Sequence, residues 1–339
     1  MPAYRPGEAR EWALENLTGV SGVTIPSFTA DLTRLNRAAI AHDIEHIIGL
    51  GFDHTLVMAE VNLTPEENAE FTAIARDTAG DRLGLFFHAA FGTLADNIRA
   101  ARLAEKAGAD LALLSYPPQF RAESEDDVYE YTRGFCEQTG LGVMIFPLPS
   151  WGFERFHPAG MSVALIRRML DTIPNIVAIK AEQGYPLPAG VIETYHHFAG
   201  EVVISCPIEG HCVPLMDVLD LRFSGTSNTQ WMSTYFPAAF AKARAGRWAE
   251  AMEDYWRGNP PRQAHDAGTG GYLSATGGLT RTIWKYQAWL AGFGGGPRRA
   301  PAMRAPDRHM RTLRAGLSAA GLPVTDLPDS EFLRGRFPA

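Results

Sequence analysis

Eight short apolar runs, each followed by a longer amphipathic segment, constrain this chain more than any other feature. The runs are Gly22–Ile25, Thr55–Met58, Leu83–Phe87, Leu111–Leu114, Gly142–Phe146, Ile176–Ile179, Val202–Ser205 and Leu221–Ser224. They are continuously apolar rather than alternating, as expected of strands buried on both faces. Helical spacing of apolar residues fills the gaps, from Leu35 to Leu50, Thr93 to Ala107, Glu125 to Thr139 and Ser162 to Leu170. Thr64 and Pro65 read as the start of a further helix, and Gly51, Gly108 and Gly140 as stops. Eight strand-then-helix units predict a parallel (β/α)8 barrel. An open doubly wound sheet is the structural alternative, and the first strand lacks the Gly-rich phosphate fingerprint that such a sheet would carry.

Beyond the eighth strand the pattern is helical, over Ser233–Ala245, Trp248–Arg257, Leu279–Ala291 and Asp307–Ala320. Gly268–Gly278 reads as a glycine-rich loop and Gly292–Pro301 as a flexible break. The expected organisation is a barrel with an N-terminal lead-in over 1–232, a helical region over 233–320 and a loosely structured tail over 321–339.

With 339 residues and a net charge of −7, and without a basic block, the chain points away from nucleic acid. No apolar stretch approaches the roughly 20 residues of a membrane span. The N-terminus is charged and lacks the apolar core of a signal peptide. Three cysteines, Cys136, Cys206 and Cys212, are an odd count that predicts a reducing, cytoplasmic setting without a disulfide framework. Cys206, His211 and Cys212 fit no zinc spacing, so no metal is expected.

In a barrel of this kind chemistry sits at the C-terminal ends of the strands. The second strand is followed by Glu60 and Asn62, the third ends at His88, the fourth at Ser115 and Tyr116, and the fifth at Phe146. The sixth ends at Lys180 with Glu182 beside it, the seventh is followed by Cys206 and Glu209, and the eighth by Gly225, Thr226, Ser227 and Asn228. Lys180 is the sharpest candidate. The chain has four lysines, Lys106, Lys180, Lys242 and Lys285, against twenty-seven arginines, so each lysine is worth locating. A lysine closing a buried strand points into an apolar mouth, where desolvation favours the neutral amine. A neutral amine attacks a ketone or aldehyde, and the protonated imine that results is an electron sink. The competing reading is a salt bridge from Lys180 to Glu182 or Glu60. Glu60 and His88 are candidate acids or bases, with ion pairing and core hydrogen bonding as their structural alternatives. Tyr116 is a candidate proton donor, or a ring packed on Pro117 and Pro118. Trp151, Phe153 and Phe156 line a pocket or cover a core.

At Lys180 the chain resembles the dihydrodipicolinate synthase and N-acetylneuraminate lyase family of class I aldolases. The resemblance runs over about residues 18 to 295 and rests on Gly22–Pro26, Gly51–Asp53, Ala104–Asp110, Ile173–Lys180 and Ser224–Asn228, in that order. It implies a TIM barrel and a covalent imine on Lys180, with no separate cofactor. It implies a small carbonyl substrate, and the strand-end residues Phe146, Glu182, Ser205, Cys206, Gly225, Thr226 and Ser227 are the candidates to hold it. It also implies a homo-oligomer, a tetramer or dimer.

The departures matter equally. The family's threonine pair after the second strand, which holds the carboxylate of pyruvate, is replaced by Met58–Asn62, where Glu60 would repel a carboxylate. The family's catalytic tyrosine falls at Phe146, which relays no proton. The tyrosine that the usual tetramer shares between sites falls near Phe120, and the loop after the fifth strand looks longer than usual. The expected function is a carbon–carbon lyase, an aldolase or hydratase–aldolase, with Glu60, His88 or Tyr116 as proton carriers and a bulky or aromatic group on the substrate. The alternatives are a carbon–oxygen lyase (a dehydratase) on the same scaffold, a non-catalytic binder of small molecules, and a metal-dependent lyase using Glu60, His88 and Glu209.

Overall fold

The computed structural model describes residues 2–59, 62–117, 119–184, 186–276, 281–300 and 304–339. Eight strands, β1 (Gly19–Thr24), β2 (His54–Val57), β3 (Gly84–Ala89), β4 (Leu111–Leu114), β5 (Gly142–Ile145), β6 (Ile176–Lys180), β7 (Val203–Ser205) and β8 (Phe223–Ser224), close into one barrel in sequence order. Every neighbouring pair is parallel, including β1 with β8. The chain is therefore a (β/α)8 TIM barrel, as the alternation of runs predicts.

The helices are α1 (Ala9–Asn16), α2 (Arg37–Gly49), α3 (Pro65–Ala79), α4 (Leu94–Ala107), α5 (Glu125–Cys136), α6 (Val163–Thr172) and α7 (Leu187–Phe198). They continue with α8 (Glu209–Leu215), α9 (Tyr235–Arg244), α10 (Trp248–Arg257), α11 (Asn259–Thr276), α12 (Arg281–Leu290) and α13 (Asp307–Ala319). Local chemistry sets their starts. Thr64 accepts from the Glu67 amide while Glu67 reaches back to the Thr64 amide, a reciprocal cap with Pro65 in the first turn. Thr93 and Ser162 cap α4 and α6 in the same way with their hydroxyls. Gly108 ends α4 at φ 103°, a left-handed position that costs glycine little. The N-terminal lead-in forms α1 and anchors to the β6 side, where the Arg10 guanidinium donates to the carbonyls of Leu170, Ile173 and Ile176.

Three expectations for the C-terminal region are corrected. Helix α11 runs through most of the supposed Gly268–Gly278 loop as far as Thr276, and 277–280 lie outside the described residues. The supposed break after α12 is a tied strap over 292–300. The Gly294 amide donates to Asp43 at 2.6 Å, and Ser27 donates to the Gly295 carbonyl at 2.7 Å. Gly292, Gly295 and Gly296 take positive φ here, so the glycines serve close turns and not looseness. The tail is likewise held. The Gly296 amide donates to the Phe332 carbonyl, the Arg336 amide to the Gly294 carbonyl and the Ala30 amide to the Ala339 carbonyl, while Phe332 is buried against Tyr286 and Trp289. Backbone pairing with one aromatic anchor leaves no periodic pattern to read in the sequence.

Candidate active site at the barrel mouth

Strand register decides which side chains enter the barrel. Phe86 of β3 and Phe223 of β8 stack with ring centroids 5.8 Å apart, although β1 and β2 lie between those strands. The two rings meet only inside the barrel, so their positions mark the inward face. Partners in register share a face, and faces alternate along a strand. Ser205 pairs with Phe223, and Lys180 pairs with Ser205. Leu111 pairs with Phe86 and with Gly142. Counting two residues up each strand puts His88, Ser115, Phe146, Lys180, Ser205 and Gly225 on the inward side of the C-terminal mouth.

Lys180 is buried. Its Nζ lies 3.4 Å from Glu182 Oε1 and 3.7 Å from the centroid of the Phe146 ring. A carboxylate and an aromatic face both attract the ammonium form, while removal from water opposes it. Phe146 is fixed in turn by the loop that follows β5. The Trp151 indole donates to the Phe146 carbonyl at 2.7 Å, and the two rings meet edge to face at 5.8 Å. Trp151 thus belongs to the wall of the mouth, whereas Phe153 is fully buried in the core. Across the barrel, His88 Nε2 is 2.9 Å from Ser115 Oγ, both buried. The pair is 27 residues apart in sequence, and only the register of β3 on β4 shows it.

Ser205 ties β7 to β8. Its hydroxyl donates to the Gly225 carbonyl and accepts from the Gly225 amide. Thr226 is buried with its hydroxyl unpartnered among the described residues, and Ser227 is half-buried beside it.

Two expected site residues turn away. Tyr116 follows the inward Ser115 and faces the helix layer. Its hydroxyl meets Thr132 Oγ1 on α5 at 2.6 Å, and its ring packs among Phe120, Tyr131, Trp151 and Phe153. Burial pushes that hydroxyl far up from its ordinary range, which suits a packed ring and not a proton carrier. Cys206 follows the inward Ser205 and faces α8. Its thiol is raised well above the usual range by Cys212 and by burial. Glu60 lies outside the described residues. Glu209, the third group of the metal-dependent alternative, is paired with Arg262 of α11. No group of three or more His, Cys, Asp or Glu side chains is gathered for a metal among the described residues. Phe120 packs on Tyr131 at 4.7 Å within its own chain. Among the described residues, no helix is long and apolar enough to cross a membrane.

The fold and these side chains define a barrel protein whose chemically useful groups converge on the C-terminal mouth. The chain belongs to the dihydrodipicolinate synthetase family, whose model matches residues 16–216. It is 30% identical over 118 residues to the 4-hydroxy-tetrahydrodipicolinate synthase of Chlorobaculum parvum, which covers 35% of this chain and 38% of that protein. It is 23% identical over 242 residues to a probable 5-dehydro-4-deoxyglucarate dehydratase of Rhizobium meliloti, which covers 69% of this chain and 72% of that protein. The crystal structure of dihydrodipicolinate synthase from Aquifex aeolicus superposes with a TM-score of 0.75 at 19% identity, over 91% of this chain and all of that one. That likeness is one of fold.

Proposed function

We propose that the protein is a lyase that forms a Schiff base between Lys180 and the carbonyl of a small keto acid or related substrate. The observation that carries this reading is a buried lysine at the C-terminal end of β6, inside the mouth of a barrel of this family. In this reading the Lys180 amine adds to the carbonyl carbon and water leaves, giving a protonated imine. A base takes the proton of the hydroxyl on the far carbon of a neighbouring carbon–carbon bond; as that bond breaks its electrons flow into the imine, and the fragment departs as an aldehyde. The enamine regains a proton at carbon, and water hydrolyses the resulting imine to free the amine. We assign the proton transfers to Glu182, 3.4 Å from the Lys180 amine, and to His88 on the inward face. Trp151 and Phe146 suit a bulky or aromatic substituent. Loss of water from the substrate through the same imine is the second reading, favoured by the relative described as a probable dehydratase.

Borohydride added during turnover of a keto acid is expected to leave a reduced adduct on Lys180, read by peptide mass spectrometry. An adduct on Lys285 alone moves the imine away from Lys180 and overturns its assignment there, and no adduct while product forms overturns the imine itself. A second expectation concerns pH. Glu182 favours the ammonium form of Lys180, so Glu182→Gln weakens the hold on that proton. The acid limb of the kcat/KM profile is then expected to move to lower pH. An unmoved limb would show that Glu182 does not act on the reacting amine.

A further inference from the structure

The strap over 292–300 lies against α2, the segment that follows β1 and the start of α3. Arg299 donates to the Leu32 carbonyl beyond β1 at 2.9 Å, pairs with Glu67 at 2.8 Å and lies over the Phe28 ring at 4.2 Å. Its neighbour Arg298 turns to α12 and donates to Thr282 Oγ1 at 3.0 Å. Lys285 stands three residues further on the same helix, and so on the same face as Thr282. Its Nζ donates to the Pro26 carbonyl, two residues past the end of β1, at 2.7 Å. Two cations are thus brought together above β1, which lies on the other side of the mouth from β6 and Lys180 in the closed strand order.

Several sheltered cations elsewhere are matched with acids at short range, Arg262 with Glu209, Arg76 with Asp110, Lys242 with Asp254 and Arg314 with Asp329, while Arg10 and Arg336 donate to backbone carbonyls. Arg298 and Lys285 have no carboxylate within ion-pair distance among the described residues. Their hydrogen-bond partners are a hydroxyl and a carbonyl. Arg298 Nε is buried and has no hydrogen-bond acceptor there. The acid that Lys285 senses, Asp43, already accepts the Gly294 amide at 2.6 Å. Burial weighs against the charge on both groups, and like charge adds to it: Arg281 acts on Arg298, and Arg298 on Lys285. Asp43 is an acidic neighbour of Lys285, whereas Arg298 has none within ion-pair distance among the described residues; a cation sheltered this way is costly, and an arriving anion lowers that cost. An Arg donor with an unused N–H is suited to a carboxylate.

We propose that Arg298 and Lys285 form an anion subsite at the rim of the mouth, which takes a carboxylate of the substrate distant from the carbonyl that meets Lys180. That the bound molecule is the substrate rests on the imine reading; that the subsite binds a carboxylate does not.

Calorimetric titration with glutarate, a dicarboxylate without a carbonyl, tests the subsite alone, with glutaramide and inorganic phosphate as comparison probes. Glutarate is expected to bind the wild-type protein and Lys180→Ala alike. Binding is expected to weaken at least about tenfold in Arg298→Gln and less in Arg298→Lys, a tenfold loss corresponding to about 1.4 kcal/mol. Glutaramide is expected not to bind. Equal glutarate affinity in Arg298→Gln, equal binding of glutaramide, or binding of phosphate with none of glutarate overturns the proposal. If Arg298→Gln does not fold, Lys285→Met is expected to weaken glutarate binding by the same factor, and unchanged affinity there overturns the proposal equally. Glutarate binding that persists where borohydride traps nothing on Lys180 removes the imine and leaves the subsite. Trapping without Arg298-dependent glutarate binding does the reverse.

Discussion

If Lys180 forms the proposed imine, Lys180→Ala is expected to lower kcat/KM for the carbonyl substrate by at least about a thousandfold, because the covalent step is lost. In the proposed mechanism the substitution removes the amine that would form the imine, and with it the electron sink. The side chain is buried, but its loss leaves Glu182, which is mostly buried, without its cationic partner at 3.4 Å. Some loss of stability therefore accompanies the loss of activity, and the two must be separated. Lys180→Arg does this. It keeps a cation beside Glu182 and the Phe146 ring, yet its guanidinium does not form the imine. Both variants are expected to be inactive, and the arginine variant is expected to melt closer to the wild type. Turnover within tenfold of wild type in a folded Lys180→Arg protein would show that the lysine serves only as an ion pair.

Phe86→Ala is expected to cost about 3–5 kcal/mol of stability, the range found for deleting a fully buried phenylalanine. Phe86 is 1% exposed, stacks on Phe223 and receives the edge of His54 at 5.9 Å. These three rings, from β2, β3 and β8, fill the barrel interior below the mouth. The space left by the ring has rigid strands on all sides and cannot collapse, so the cost falls at the upper end of the range. The check is the denaturation midpoint in urea at unchanged slope. A loss under about 1 kcal/mol would mean that the interior repacks around the gap.

Much of the architecture is legible in the sequence. The eight runs locate all eight strands, and β4 begins and ends where its run does. The site is legible only in part. Lys180 is found because a lysine closing an apolar strand stands out. The sequence favours Tyr116 over its inward neighbour Ser115, and it adds Cys206 to the inward Ser205. Both errors have one physical cause. A strand buried on both faces is apolar at every position, so the run shows that a strand is there but not which residues face inward. Arg298 and Lys285 escape sequence reading for a different reason, since they lie on a strap and a helix that no pattern links to β1.

The sequence by itself thus determined the barrel, its strand order and a lysine at the end of β6, because these follow from local apolar periodicity and short connections. The tertiary structure alone decided which neighbours Lys180 meets, that His88 pairs with Ser115, and that two cations close over β1. Those facts depend on the phase of each strand and on contacts between residues far apart in the chain. Both are set by closure of the barrel and docking of the C-terminal strap, and neither is written in any local run.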